Sequence, residues 1–162
     1  MPGSGPRPGD AMNHHAISDQ VLAEHELLMH VTNGMRIILG WKAKDYDLSR
    51  QLSSLRFTTG SFQRHLERLM ALEEYDGYMD VVMKKRPQLA KEVEALRSEH
   101  DEFRRSLHNL VHRLEHISPT DHATYSAASE ELLAVLEKVD KHTAKETDLL
   151  QEAILRDEGA QD

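Results

Sequence analysis

The 162-residue chain contains no cysteine. This absence excludes disulfides, thiolate zinc sites, iron–sulfur clusters and cysteine nucleophiles. Any metal that the protein binds must therefore be coordinated by nitrogen and oxygen atoms. The chain is long enough for one domain with a sizeable core.

Other features are missing as well. No stretch approaches the roughly 20 consecutive apolar residues of a membrane span, and no run of alternating β-branched residues predicts a strand. An excess of positive charge is also absent, because the net charge is −8. This acidity argues against nucleic acid or an anionic membrane as a partner.

The N-terminal segment MPGSGPRPGD has no basic segment followed by an apolar run. We therefore expect residues 1–16 to form a disordered leader rather than a signal peptide. Without a signal peptide or a membrane span, a cytoplasmic location is expected.

Apolar residues recur at helical spacing in four long segments that turn signals separate. The predicted helices are Ile17 to Leu39, Asp47 or Ser49 to Tyr75, Pro87 to His116, and from an N-cap at Thr120 or Asp121 to Leu155. A short helix over residues 78–87 precedes the third. Amphipathic helices joined by short connections predict an all-α fold, an up-down-up-down four-helix bundle.

The third helix carries a histidine within its apolar stripe. The apolar positions, in steps of three, seven, four and three residues, are Val93, Leu96, Phe103, Leu107 and Leu110. His100 fills the one missing position of this stripe. Because a single core histidine is more often structural than metal-binding, His100 alone does not decide between the two roles.

The fourth helix repeats this anomaly, because His142 and Glu146 occupy consecutive core positions. At i and i+4 they point to the same side of the helix. A buried carboxylate is costly unless a cation or dense hydrogen bonding compensates it, and a metal ion provides that compensation. On the first helix, His25 shares a face with Leu22 and Leu28 and is a third inward candidate.

The second helix admits two apolar stripes. One brings Glu73 into the core, the other brings His65, and both include Leu69. In a regular bundle, counting residues from the connection between the first two helices places His65 at the same height as His25. Glu73 then lies about 12 Å from His65 along the helix axis. Both residues remain candidate ligands.

Four pieces of sequence, in order, resemble bacterial hemerythrin-like proteins of the HHE cation-binding type. They are Glu24-His25, Glu73-Glu74 before DGYM, Glu99-His100, and HTAKETDLLQEAILRDEG at residues 142–159. The resemblance spans residues 17–159 and implies a bundle that holds two non-heme irons through histidines and bridging carboxylates. The implied metal ligands are His25, Glu73, His100, His142 and Glu146, and His65 is added on geometry alone.

The chain departs from this family at two positions. Leu69 stands where the second helix usually has a histidine, and Arg104 stands where oxygen carriers have a second histidine on the third helix. These departures leave open whether the site holds two irons, is rearranged or incomplete, holds a single ion, or is empty. With fewer protein ligands, more coordination positions of the iron are open to small molecules. This favours redox reactivity or sensing over reversible oxygen carriage.

Three functional classes follow. The leading one is a diiron protein that binds or reacts with oxygen, peroxide or nitric oxide. The second is an iron or redox sensor, and the third is a metal-free helical interaction bundle.

Outside the site, His108, His112 and His116 form a row that is expected to be a solvated face. Glu24 and Glu99 are candidate acceptors for the N–H groups of ligand histidines.

Overall fold

A computed structural model describes residues 8–41, 48–75 and 77–158, and the side chains of residues 19–41, 48–75 and 77–153. The helices are α1 (Pro8–Leu39), α2 (Ser49–Glu74), α3 (Tyr78–Lys85), α4 (Ala90–His116) and α5 (His122–Glu158), with a 3-10 turn at Pro87–Leu89. The described residues contain no strand, so the predicted all-α fold is confirmed.

Apart from the start of the first helix, the boundaries lie within about three residues of the predicted ones, with α4 beginning at Ala90 and α5 ending at Glu158. Helix α1 begins at Pro8, which the first turn of a helix accepts because its missing N–H has no partner there anyway. The backbone of residues 8–16 is thus helical, whereas residues 1–7 of the predicted leader lie outside the described residues. Asp121 caps α5 as expected, because its Oδ1 accepts a hydrogen bond from Thr124 N at 3.1 Å.

The four long helices share one apolar cluster. Helix α1 packs mainly against α2, α2 against α4, and α4 against α5, while α1 and α5 touch less. The cluster includes Met35, Leu52, Phe103 and Leu136, one from each long helix, all nearly or fully inaccessible to solvent. This packing is that of a helical bundle, and the up-down order of its helices stays a prediction.

A second, smaller apolar cluster lies towards the other end, around Met79, Val93 and Leu149. On α4 and α5 the two clusters are separated by a short stretch that contains buried histidine and glutamate side chains. The candidate site is therefore enclosed by apolar packing on both sides along the bundle.

The turn between α2 and α3 requires glycine at residue 77. A Cβ atom placed on Gly77 would lie 2.1 Å from the Leu72 carbonyl oxygen and 2.4 Å from that of Glu73. Since real Cβ atoms do not approach backbone oxygen so closely, a side chain here would displace the turn. Gly77 thus keeps Glu73, at the end of α2, close to Tyr78, at the start of α3.

No helix in the described part of the chain is both long and apolar enough to cross a lipid bilayer. The cytoplasmic location expected from the sequence stays a prediction.

Candidate metal centre

Four buried side chains from three helices meet between the two apolar clusters. They are Glu73 of α2, His100 of α4, and His142 and Glu146 of α5, with exposed fractions of 2%, 0%, 3% and 6%. One ligand atom of each lies within 4.8 Å of the ligand atoms of the other three. Donor atoms this close together can coordinate a single ion.

The two imidazoles direct the same nitrogen into this group. The Nε2 atoms of His100 and His142 lie 2.9 Å apart. His142 Nε2 is 2.6 Å from Glu146 Oε1, and His100 Nε2 is 3.4 Å from Glu73 Oε2. Two nitrogens and two carboxylates therefore converge on one point, the donor set expected for a metal bound without thiolates.

In both histidines, the hydrogen bond of Nδ1 determines the protonation of Nε2. His100 Nδ1 lies 2.6 Å from Glu74 Oε1, and His142 Nδ1 lies 2.6 Å from Glu99 Oε2. Because a carboxylate can only accept, each Nδ1 donates its proton, and in a neutral imidazole Nε2 then carries a lone pair. Two lone pairs at 2.9 Å repel each other unless a proton or a metal ion lies between them.

The two buried carboxyl groups, Glu73 and Glu146, also require a proton or a cation beside them. Burial, and next the Glu146 carboxylate, raise the pKa of Glu73 far above its ordinary value. Although burial opposes it, hydrogen bonds from His142, Glu73 and Tyr78 lower the pKa of Glu146. One proton is therefore retained between two carboxyl groups that cannot both ionise in an apolar interior. Glu73 Oε2 nevertheless has no hydrogen-bond partner.

The two histidines differ in their electrostatic surroundings. Burial lowers the pKa of His100. Burial also opposes the charged form of His142, but the carboxylates of Glu146 and Glu99 outweigh it and raise the pKa of His142. Without a metal, protons on His142 and Glu73 supply the positive charge that this group of donors requires.

These four side chains have the properties of a site that requires a metal ion. The group has an unpartnered buried oxygen, two facing imidazole nitrogens and carboxylates that retain a proton. A divalent cation that displaces the protons would satisfy all of these atoms at once. The four residues present are thus suited to hold a metal ion.

Charged residues outside the group position the glutamates that orient the histidines. Both terminal nitrogens of Arg104 donate to Glu74, each at 3.1 Å. Lys145 Nζ forms a single ion pair with Glu99 Oε1. Tyr78 Oη donates to Glu146 Oε2 at 2.6 Å. Each metal-facing side chain therefore has a hydrogen-bond partner that restricts its orientation, although Glu73 Oε2 itself has none.

The remaining predicted ligands lie elsewhere. His65 Nδ1 is 3.1 Å from Glu24 Oε2, between α2 and α1. His25 is half-buried and lines a pocket between α1 and α5 with Met29 and Thr143. Neither belongs to the group of four, and a role for either as a metal ligand stays a prediction.

The hydrogen-bond partners of the supporting residues were only partly predicted from the sequence. Glu99 is a histidine partner as predicted, but it contacts His142 across the α4–α5 interface rather than its neighbour His100. Glu74 serves His100 instead. Its only signal in the sequence was its position beside Glu73. Tyr78, the tyrosine of the DGYM segment, is a third supporting residue, since its hydroxyl lies 2.6 Å from Glu146 Oε2.

The metal-free protein should lose stability as the pH rises from 7 to 9. The unfolded chain ionises Glu73 near pH 4.5 whereas the folded state keeps the proton, and the raised pKa of His142 acts in the same direction above pH 6.5. His100 and Glu146 contribute little in this window, because their charge is the same in both states. Urea unfolding in the presence of chelator measures the slope.

Glu73→Gln is the matched control for this pH dependence, since it keeps the shape of the side chain and cannot ionise. Its free energy of unfolding should vary less with pH than that of the unaltered protein. If the free energy of unfolding has the same pH dependence in both proteins, Glu73 does not carry the retained proton.

No family model, curated protein or solved structure matches the chain. The candidate metal centre therefore stands on its residues and their geometry.

Proposed function

We propose that the protein is a hemerythrin-like, non-heme iron protein. Its group of Glu73, His100, His142 and Glu146 would hold one iron ion that binds or reacts with oxygen, peroxide or nitric oxide. The observation that carries this proposal is the pair of imidazole Nε2 atoms 2.9 Å apart beside two buried carboxyl groups. The choice of iron over other divalent ions rests on the resemblance to hemerythrin-like proteins.

The positions of the side chains favour one ion over the two expected from the family. The four gathered donors suffice for a single ion, whereas His25 and His65 lie outside their group. Arg104, at the position where oxygen carriers have a second histidine, brings a positive charge next to Glu74 and supplies no metal ligand. Leu69 is buried in the apolar cluster and likewise has no donor atom.

The chain's residues define what the centre can do. When bound, iron supplies redox chemistry and coordination positions for a small ligand. The rings of His142 and Phe103 pack nearly perpendicular to each other, with centroids 5.3 Å apart, and the apolar clusters on either side limit the entry of water. Tyr78 holds Glu146 in place through the hydrogen bond that its hydroxyl donates. Such an enclosed site suits small ligands of low polarity.

A sensor role is the second candidate, and one observation favours it. The four donors come from α2, α4 and α5, so binding and release of the metal change the packing of three helices at once. A reactive centre consumes peroxide or oxygen with repeated turnover. A sensor shows a metal-dependent change of conformation without turnover. Peroxide consumption by the iron-loaded protein, followed over many equivalents, distinguishes the two.

Glu74→Gln should weaken iron binding by about 10- to 100-fold, the usual effect of losing the hydrogen-bond partner of a ligand histidine. The amide cannot stabilise the Nδ1–H of His100 as a carboxylate does, so the lone pair on Nε2 becomes less available. Anaerobic titration with ferrous iron measures the affinity.

Glu67→Gln is the control for this variant, because Glu67 also pairs with Arg104 but is half-exposed. It should bind iron as the unaltered protein does. If the two variants bind iron equally well, the contact between Glu74 and His100 has no role in metal binding.

A further inference from the structure

A second set of metal-binding side chains lies on the surface of the last turns of α4. His112, Glu115 and His116 are all exposed, and their ligand atoms lie within 4.8 Å of one another. The two rings are one helical turn apart, with centroids separated by 4.6 Å. From His100 to His112 is twelve residues, about 18 Å along the helix at 1.5 Å per residue, so these side chains do not belong to the buried centre.

The hydrogen bonding of His116 prepares it for a metal. Its Nδ1 lies 2.8 Å from the carbonyl oxygen of His112. A carbonyl only accepts, so Nδ1 carries the proton and Nε2 of the neutral ring has the lone pair. The carbonyl thus selects the tautomer, as partners of ligand histidines commonly do.

The surroundings also suit a cation. His116 is the last residue of α4, where the terminal carbonyl groups of a helix carry partial negative charge. Arg56 donates to the carbonyl groups of Leu114 and Ile117 and offsets part of that charge. Glu115 forms no ion pair with another described residue, so its carboxylate is available as a third donor. The neighbouring Arg113 is paired with Glu131. Its charge is therefore partly offset.

From these contacts we infer that His112, Glu115 and His116 form a peripheral site for an imidazole-preferring divalent cation such as Zn²⁺ or Cu²⁺. Two imidazoles at i and i+4 reach one ion from the same side of the helix, and imidazole suits both metals. Glu115 adds an oxygen, and water fills the remaining positions because the site is open to solvent. The buried centre, with as many carboxylates as imidazoles, is a different environment. This inference does not depend on the proposed function.

The chain offers a matched control in His108. It lies one turn before His112 in the same exposed row, but it is not a member of the group. A simple attraction of metal ions to surface histidines would involve His108 as much as His112. A defined site would require only His112 and His116.

Calorimetric titration of the iron-loaded protein with Zn²⁺ tests the inference. We expect one zinc equivalent, and His112→Ala and His116→Ala should each weaken its binding roughly tenfold or more, that is by at least about 1.4 kcal/mol. His108→Ala should bind zinc as the unaltered protein does. Substoichiometric Cu²⁺ should broaden amide NMR signals selectively around residues 112–116.

Two results would overturn the site. One is zinc binding that His108→Ala weakens as much as His112→Ala does. The other is zinc binding that neither His112→Ala nor His116→Ala changes. All three substitutions are at exposed positions, so the variants should remain folded, and circular dichroism verifies this. His100→Ala should keep the peripheral zinc, which separates failure of this site from failure of the buried centre.

Discussion

His100→Ala should weaken iron binding more than about a hundredfold. Loss of only the hydrogen-bond partner of a ligand weakens metal binding by up to about a hundredfold, and loss of the ligand itself should have a larger effect. The substitution removes an inward nitrogen that lies 2.9 Å from His142 Nε2 and 3.4 Å from Glu73 Oε2. It also leaves Glu74 without the imidazole it contacts. Anaerobic titration with ferrous iron, followed by absorption, measures the loss.

His108→Ala is the control on the same helix, because His108 is exposed two turns beyond His100. It should bind iron at full affinity. Since His100 is fully buried, its variant must first be shown to be folded, and His100→Gln provides a second version that retains more of the volume. Full iron affinity in both folded variants would contradict the assignment of His100 as a ligand.

Removal of the metal should lower the melting temperature by roughly 10 °C. At a free metal concentration about 1,000 times Kd, binding to the folded state alone stabilises it by about 4 kcal/mol. For a chain of this size, each kcal/mol corresponds to a shift of about 2–4 °C. The loss follows because the buried donors from α2, α4 and α5 then rely on protons alone for positive charge. Thermal unfolding of the iron-loaded and chelator-treated protein measures it.

The same experiment on His100→Ala supplies the comparison. This variant should show almost no difference between the two treatments, because it binds little metal in either. If verified removal of metal leaves the melting curve of the unaltered protein unchanged, the centre does not stabilise the bundle.

The sequence was sufficient for the helices and for three of the four buried site residues. His100, His142 and Glu146 interrupt otherwise regular apolar stripes, and a periodic pattern directly indicates which side of a helix faces the core. Each is buried in the structure. These inferences required no knowledge of how one helix is placed against another.

Glu73 and His65 show where such reasoning ended. Their helix has two nearly equivalent stripes, so periodicity could not decide which of them faces the core. The structure buries Glu73 and leaves His65 partly exposed beside Glu24. The choice depends on the rotation of α2 about its axis, which packing with the neighbouring helices determines.

The partners of the ligands could not be predicted for a related reason. The contacts of His142 with Glu99 and of His100 with Glu74 each join two helices. They depend on the relative height of those helices to within one turn, and a periodic pattern within a single helix contains no such information. Arg104 could therefore be recognised as a difference from the hemerythrin-like proteins that the sequence resembles, but its pairing with Glu74 could not.

The most direct measurement of the central claim is the iron content of the protein, purified without a metal-chelating column and reconstituted with ferrous iron under anaerobic conditions. A single group of two histidines and two glutamates predicts about one tightly bound iron per chain, because a structural metal site fills in proportion to the folded protein. A content below about 0.2 iron per chain in folded protein would contradict the metal centre, and a content of about two would contradict the single ion.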